Sequence, residues 1–281
     1  MRYKDKYKNS VHSETIFHVC NNIEGLKGIL KKNAFIPSFS REVVYAKGDK
    51  TPYYFVPMVS FCDFKLSEMD FHFQKYGKYG IGLSKEWGIK NDLNPVLYIN
   101  DECVFFQDFR KALIDSFNEI NGLSGARNSQ GTQEQYESII NINNKLLEIY
   151  CYIKNYQGEL DRNGEIIEDF RFADDKEWRY VPKIVGVLDA LGFRWPIRLI
   201  GFNETDNIKI KNRKTELNKN ISKSEWLRFD YDDVKFLIVP NEVERYNLIK
   251  AIYKINVGGC FGCIDKALLI SKIVIVDHLD L

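Results

Sequence analysis

The sequence lacks long apolar runs and carries almost no net charge. No stretch approaches the roughly 18 consecutive apolar residues of a membrane-spanning helix, and the first ten residues are charged and polar where a secretory signal would be apolar. The 40 Lys and Arg nearly balance the 39 Asp and Glu, so the whole chain has no electrostatic reason to bind nucleic acid or anionic lipid. These absences predict a cytoplasmic protein with no membrane partner.

Several catalytic signatures are missing as well. The sequence has no GxxxxGK[ST] and no GxGxxG, so both common phosphate-binding loops are excluded, and no GxSxG marks a hydrolase nucleophile. The one CxxC pair, Cys260 and Cys263, offers two thiolates where structural zinc needs four ligands. His278 could add a third ligand, but packed thiols are favoured, and we predict no metal site.

Apolar and aromatic residues are plentiful, and their spacing predicts local structure. Residues 14–20 alternate like a strand, and Ile23, Leu26, Ile29 and Leu30 then share one helical face. Asn21 with Glu24 resembles a capping box, and Lys31, Lys32 and Asn33 suit a helix C-terminus. The chain therefore begins as a strand followed by a helix.

The remaining segments alternate between strand-like and helical patterns. Residues 34–64 hold three prolines and read as an irregular, aromatic stretch of the kind that walls a pocket. Residues 105–121 and 132–156 read as helical, and the C-terminal part reads as strand, helix and strand. This order predicts one α+β domain over residues 1–281, with a mixed central sheet, flanking helices and a helical insertion at about 105–156.

The stretch FADDKEWRYVP, residues 172–182, places an acidic cluster directly before a short strand. Alternation puts Glu177 and Arg179 on one face of that strand and Trp178 and Tyr180 on the other, which we expect to face the core. Two interpretations of Glu177 stay open. It either pairs with Arg179 or a neighbouring strand on a solvated face, or it is held at a strand edge for chemistry.

Long blocks of the sequence resemble the AbiGi family of bacterial abortive-infection proteins. They are VSFCDFKLSEMDFHFQKYGKYGIGLSKEWGIKNDLNPVLYI (59–99), DDKEWRYVP (174–182) and TIFHVCNNIEGLKGILKKNAFIPSFSRE (15–42). The family is described as the antitoxin of a phage-resistance pair. The resemblance therefore implies a phage-defence protein with a cognate toxin or antitoxin protein as its partner.

A weaker resemblance is to ADP-ribosyltransferases, including the DarT type, through a His-Tyr-Glu order. It implies a transferase-like fold with NAD as substrate, in which His18 would bind the adenosine ribose, Tyr76 would stack on nicotinamide and Ser60 would support the nicotinamide ribose. Glu177 would stabilise the oxocarbenium charge that develops when the nicotinamide bond breaks. Asp175 would orient the incoming nucleophile or accept its proton. The chain lacks the Ser-Thr-Ser block that better-known transferases carry after the first strand.

Each of these residues has a structural alternative. His18 shares a strand face with Ile16 and Cys20 and could be a buried, hydrogen-bonded histidine. Tyr76 could be part of a core, Ser60 an ordinary strand residue, and Asp175 the start of a turn. The transferase interpretation predicts one pocket lined by His18, Tyr76 and Glu177.

Two functional classes follow. The first is an NAD-dependent ADP-ribosyltransferase acting in phage defence, and the second is a catalytically inactive antitoxin or regulatory binding member of a toxin–antitoxin pair. A basic stretch near residues 208–223 could bind nucleic acid locally through Lys209, Lys211, Arg213 and Lys214. A solvated, mobile loop is the alternative for that stretch.

Overall fold

The computed structural model describes residues 13–42, 44, 54–123, 130–162, 165–182, 197–198, 207–219, 221–255 and 262–279. For some residues at the ends of helices and strands only the backbone is described.

The strands are β1 Thr15–Cys20, β2 Ala34–Phe35, β3 Ser38–Glu42, β4 Tyr54–Cys62, β5 Tyr79–Ser84, β6 Asn94–Pro95, β7 Leu97–Ile99, β8 Ile153–Asn155, β9 Gly158–Arg162, β10 Glu165–Phe170, β11 Glu177–Tyr180, β12 Ile197–Arg198, β13 Leu227–Arg228, β14 Val234–Val239 and β15 Ile273–Ile275. The α-helices are α1 Ile23–Lys32, α2 Asp70–Tyr76, α3 Lys85–Lys90, α4 Val104–Leu123, α5 Gln130–Tyr150, α6 Asn207–Lys219, α7 Glu242–Tyr253 and α8 Cys263–Ile270. Short 3-10 turns cover Leu66–Glu68, Phe172–Asp175, Lys223–Glu225 and Val276–His278.

A central sheet runs in the order β15-β14-β5-β1-β4-β11-β6, and β3 and β12 also pair with β4. The pair β14–β15 is parallel and the other pairs of this sheet are antiparallel. The predicted α+β class with a mixed central sheet is therefore confirmed.

The strand β4 is the hub of this sheet, although the sequence predicted an irregular loop there. Its first half pairs with β3 and β12, and its second half pairs with β1 and β11. Residues 55–59 are all buried, so the strand is covered on both faces and shows no alternation of polar and apolar residues. Pro57 lies in this strand opposite Phe39. The prolines indicated a loop, and a strand buried on both faces has no alternation of polar and apolar residues that would have indicated a strand instead.

Strand register divides the side chains of the sheet between two faces. On the first, called here the α1 face, Ile16 and Phe61 pack in one cluster with Leu26 and Leu30 of α1. On the second, called the α5 face, Met58 packs with Leu147 of α5. Phe17, which lies opposite Cys62 on β4, packs on the same side as Cys62 against Phe73 of α2.

The first helix has the predicted extent, and one cap differs. The N-cap is Asn22, not Asn21, because Asn22 has the extended backbone and its side chain accepts a hydrogen bond from Gly25 N at 3.0 Å. At the other end Asn33 adopts the left-handed conformation, φ 51°, that closes a helix. The predicted C-terminal signal is confirmed.

Three other segments differ from their predicted structure. The helix expected over 132–156 ends at Tyr150 and is followed by β8. The stretch expected as a mobile loop is α6, which the buried Leu217 and a 2.7 Å hydrogen bond from Phe39 N to the Asn218 side chain fasten to β3. The strand expected at the C-terminal end is short, because α8 continues to Ile270 before β15 begins.

We expect Gly82→Ala to lower the free energy of unfolding by about 1–3 kcal/mol, the usual cost of overpacking a core. A Cβ at Gly82 would lie 2.7 Å from Cε1 of Phe17 and 2.9 Å from Cγ2 of Thr15, both on the paired strand β1. Urea unfolding measures the change. The control is Gly122→Ala in α4, where an added Cβ meets no atom within 4 Å, and which should stabilise the helix by about 0.5–1 kcal/mol. Equal stability of Gly82→Ala and the unmodified protein would contradict this packing.

Candidate functional site

The strand β11 carries two charged side chains into the interior. Arg179 is 0% exposed and Glu177 is 6% exposed, while Trp178 and Tyr180 pack toward the α1 face. The predicted alternation is therefore correct, but the face of Glu177 is not solvated. It is covered by the turn that follows α5, where Cys151 lies, and by β8.

The carboxylate of Glu177 receives four hydrogen bonds. Its Oε1 accepts from Ser60 Oγ at 2.7 Å and from Arg179 Nε at 2.8 Å. Its Oε2 accepts from Lys154 Nζ at 3.0 Å and from Arg179 Nη2 at 3.2 Å. The main-chain N–H of Glu177 donates to the Tyr98 hydroxyl at 2.8 Å. Four is about the full capacity of a carboxylate, so no lone pair is left for a substrate.

Arg179 extends this cluster to a second acid. Its Nη1 donates to the main-chain oxygen of Cys151 at 2.7 Å, and its Nη2 donates to Glu42 Oε2 at 2.9 Å. Lys154 Nζ lies 4.0 Å from the same Glu42 oxygen. Two carboxylates thus balance two cations, and we call Glu42, Lys154, Glu177 and Arg179 the ionic cluster.

The ionic cluster keeps its members charged. Burial by itself would raise the pKa of Glu177, but the charges of Arg179 and Lys154 and the hydrogen bonds outweigh it and hold that pKa well below its usual range. Burial would lower the pKa of Lys154 and of Arg179, yet the two carboxylates raise both. Glu177 is therefore a fixed, neutralised anion.

Asp175 belongs to a separate cluster beside α2. Its Oδ1 accepts from Lys75 Nζ at 2.6 Å, and its Oδ2 accepts from the Tyr76 hydroxyl at 2.8 Å. Burial and the Asp175 charge raise the pKa of Tyr76, so this hydroxyl keeps its proton and remains a donor. Asp175 thus fastens α2 to the turn before β11.

An aromatic stack continues from this cluster. The ring of His72 stacks on Phe64, with centroids 3.7 Å apart, and lies nearly parallel to the ring of Tyr76 at 6.0 Å. Burial lowers the pKa of His72 to about 4, although the Asp175 charge opposes the shift. His72 is therefore a neutral core residue at physiological pH.

His18 lies on the α1 face of the sheet, away from the other candidates. Its ring contacts Phe35 and Phe61, with centroid distances of 5.1 and 5.6 Å. Its Nδ1 is 2.9 Å from the main-chain oxygen of Ser60, which can only accept, so Nδ1 carries the proton. Burial lowers the pKa of His18 and favours the neutral ring.

The predicted candidates are thus divided between the two faces. Ser60 and Glu177 are in direct contact, and Tyr76 and Asp175 form their own pair on the same side. His18 is separated from them by the sheet. It aligns with Ile81 and its ring contacts Phe61, both on the α1 face, while Glu177 aligns with Cys62, whose side chain lies on the other face. The expected pocket shared by His18, Tyr76 and Glu177 is not formed.

Sequence reasoning missed the partners that define these clusters. Lys75, Lys154, Glu42 and Tyr98 were not singled out, since they lie far from residues 175–179 along the chain. One signal was present: an acid and an arginine two residues apart on an apolar strand share a face and can neutralise each other. Among the described residues no group of three or more His, Cys, Asp and Glu side chains could hold a metal. Cys260 lies outside the described residues.

The basic stretch is only partly described. Lys211 is exposed on α6, and Lys214 is half-buried with a pKa lowered by burial. Lys209 and Arg213 belong to the same helix, but their side chains lie outside the described residues. A nucleic-acid contact here stays a prediction. None of the helices in the described ranges combines the length and the apolarity needed to cross a membrane.

Comparison with known proteins gives two matches. Residues 33–240 match the family model of the abortive phage resistance protein AbiGi, described as an antitoxin. The chain is also 28% identical over 263 residues to the abortive phage resistance protein AbiGi of Lactococcus lactis subsp. cremoris, covering 88% of this chain and 98% of that protein. No solved structure matches.

We expect Glu177→Gln to lower the free energy of unfolding by about 3–5 kcal/mol, because it leaves Arg179 and Lys154 buried without their counter-charge. Urea unfolding at neutral pH measures the loss. Glu68→Gln is the matched control, since Glu68 pairs with Lys176 at 3.3 Å where both side chains are about half exposed, and its loss should be within about 0.5 kcal/mol. A change below about 1 kcal/mol for Glu177→Gln would show that the ionic cluster does not depend on this charge.

We also expect acid to destabilise the fold through His72. The unfolded chain binds a proton near pH 6.5, whereas folded His72 binds it only near pH 4. The stabilisation is therefore complete above pH 6.5 and is lost as the pH falls to about 4, with an upper bound of about 3 kcal/mol. Unfolding free energies measured across this interval should change less steeply with pH in His72→Phe than in the unmodified protein. Equal pH slopes in the two proteins would contradict a neutral, buried His72.

Proposed function

Because the chain belongs to the AbiGi family of abortive phage resistance proteins, we propose that it is the antitoxin of a phage-defence pair, a binding protein that neutralises a toxin and has no catalysis of its own. The family match carries this proposal. It spans residues 33–240, which include β4, β11 and every member of the ionic cluster.

The chemistry of Glu177 supports a binding role. A carboxylate that stabilises an oxocarbenium-like transition state must direct at the reacting carbon a negative charge that no neighbouring cation neutralises. The charge of Glu177 is already shared between Arg179 and Lys154, and its oxygens accept four hydrogen bonds from within the protein. A sugar brought near it would meet a neutral cluster.

The position of His18 also supports a binding role rather than ADP-ribose transfer. Transfer of ADP-ribose from NAD would need the groups that bind the dinucleotide and the group that acts on it to face one cavity. His18 lies on the α1 face, and Ser60, Tyr76 and Glu177 lie on the α5 face. The antitoxin function requires no such shared cavity.

A growth assay tests the proposal. The protein is expressed alone and together with a candidate toxin drawn from the genes beside its own, and colony counts are compared. We expect no growth defect from the protein alone and recovery of growth when both are present. Glu177→Gln should rescue less well, in proportion to the folded protein that remains in the lysate, and Glu68→Gln should rescue fully.

An NAD assay tests the competing activity. Purified protein is incubated with labelled NAD, with and without lysate, and we expect no nicotinamide release and no transfer of label. Toxicity of the protein alone, together with nicotinamide release that Glu177→Gln abolishes at matched folded concentration, would replace the antitoxin proposal with the transferase.

A further inference from the structure

A cleft opens on the α1 face, outside both clusters described above. It has a volume of about 480 Å³ and lies between α1, the end of β1 and β2. This volume falls within the roughly 300–1,000 Å³ of small-molecule sites. Its lining includes His18, Lys32 and two glycines of α1, Gly25 and Gly28.

The two glycines leave the wall of the cleft open. Gly25 and Gly28 follow Asn22 on the face of α1 that lines the cleft, while Leu26 and Leu30 are buried in the core. A glycine inside a helix costs about 1 kcal/mol relative to alanine. At Gly28 an added Cβ would meet only Lys32 Nζ, 3.7 Å away. Core packing does not require glycine there, so these residues leave space for an occupant.

His18 presents a hydrogen-bond acceptor to this space. Its Nδ1 donates to the main-chain oxygen of Ser60, so the neutral ring carries its lone pair on Nε2. Among the described residues Nε2 has no hydrogen-bond partner. Since the contacts with Phe35 and Phe61 and the bond to Ser60 hold the ring in place, the acceptor is fixed in position before any ligand arrives.

Lys32 supplies a positive charge. No carboxylate among the described residues forms an ion pair with it. The acid on the rim, Glu24, is bound by Lys27 at 2.9 Å. Within the described part of the chain, the cleft therefore combines an ammonium group that has no ion-pair partner with a neutral acceptor, and the buried Phe35 and Val59 add apolar surface to its lining.

We propose that this cleft binds a small organic anion. The anionic group lies at Lys32, and a hydroxyl or amino group at the other end of the ligand donates to Nε2 of His18. The two glycines let the ligand approach the backbone of α1. This inference does not depend on the antitoxin function, because it rests on the cleft alone.

The test uses the full-length protein labelled with ¹⁵N-histidine, so that the Nε2 resonance of His18 reports directly on its hydrogen bond. The probes are ribose 5-phosphate and gluconate, which carry hydroxyl groups with a phosphate or a carboxylate. Ribose and inorganic phosphate serve as partial probes that each lack one of the two features. We expect at least one complete probe to shift the resonance saturably, and both partial probes to bind about tenfold or more weakly, because ribose lacks the group that pairs with Lys32 and inorganic phosphate lacks the sugar hydroxyls that reach His18.

Variants locate the binding. Lys32→Gln should weaken the complete probe by about tenfold or more, as read from the His18 resonance. His18→Phe lacks this reporter, and its affinity, measured by titration calorimetry beside the unmodified protein, should fall by about tenfold or more. Lys31→Gln should bind as the unmodified protein does, since Lys31 is exposed in the same helical turn and does not line the cleft. Gly28→Leu places a bulky side chain in the cleft beside Lys32 and is also a better helix former, so it should abolish binding without loss of stability.

Three results would overturn the proposal. The first is the absence of a His18 shift with both complete probes. The second is binding that Gly28→Leu leaves intact, and the third is equal binding by Lys32→Gln and Lys31→Gln. Each is independent of growth rescue, so a failed antitoxin assay and a failed binding assay are distinguishable.

Discussion

Arg179 is fully buried, and a guanidinium group keeps its charge in a protein interior. Its surroundings must therefore provide acceptors and counter-charge, and they come from segments far apart in the chain: Glu42 at the end of β3, Cys151 after α5, and Glu177 on β11. Lys154 on β8 brings the sum of charges to zero. Because the loss of one partner would leave a buried charge uncompensated, these segments keep one register relative to each other. The cluster thus fixes where β11 lies on β4 and how the turn after α5 covers it.

Local signals in the sequence were sufficient for part of the fold. The strand and helix at residues 15–32 and the alternation of Glu177 and Arg179 with Trp178 and Tyr180 are set by residues close together in the chain, and both were predicted. Strand β4 was not, because a strand buried on both faces lacks alternation and contains Pro57. Nor was the environment of Glu177. Ser60 and Lys154 bond to its carboxylate, and Glu42 and Cys151 bond to its partner Arg179, and all four lie far from it along the chain. Periodicity shows which side chains share a face, but not what lies against that face.

The resemblances to AbiGi and to ADP-ribosyltransferases differ in how much of the fold each one constrains. The long AbiGi blocks constrain many neighbouring positions at once, and the family match agrees with them. The His-Tyr-Glu order constrains three residue types without specifying on which side of the sheet each one lies. His18 and Glu177 both contact Ser60, one through its main-chain oxygen and the other through its hydroxyl, yet they lie on opposite faces. An ordered set of residues therefore becomes a site only when the register of the strands between them is known.

The order of strands in the sheet also determines when the protein becomes functional during its synthesis. Strand β4 is complete at residue 62, but its neighbour β11 begins at residue 177, and β14 and β15 follow only after residue 233. Translation proceeds at ~5–20 residues per second, so the last strands of the sheet are synthesised on the order of ten seconds after β4. A ribosome that stops early leaves a chain with an open sheet edge and an unpaired ionic cluster. A chain of this architecture completes its fold only as a finished molecule, so an interruption of protein synthesis stops the supply of new folded protein at once.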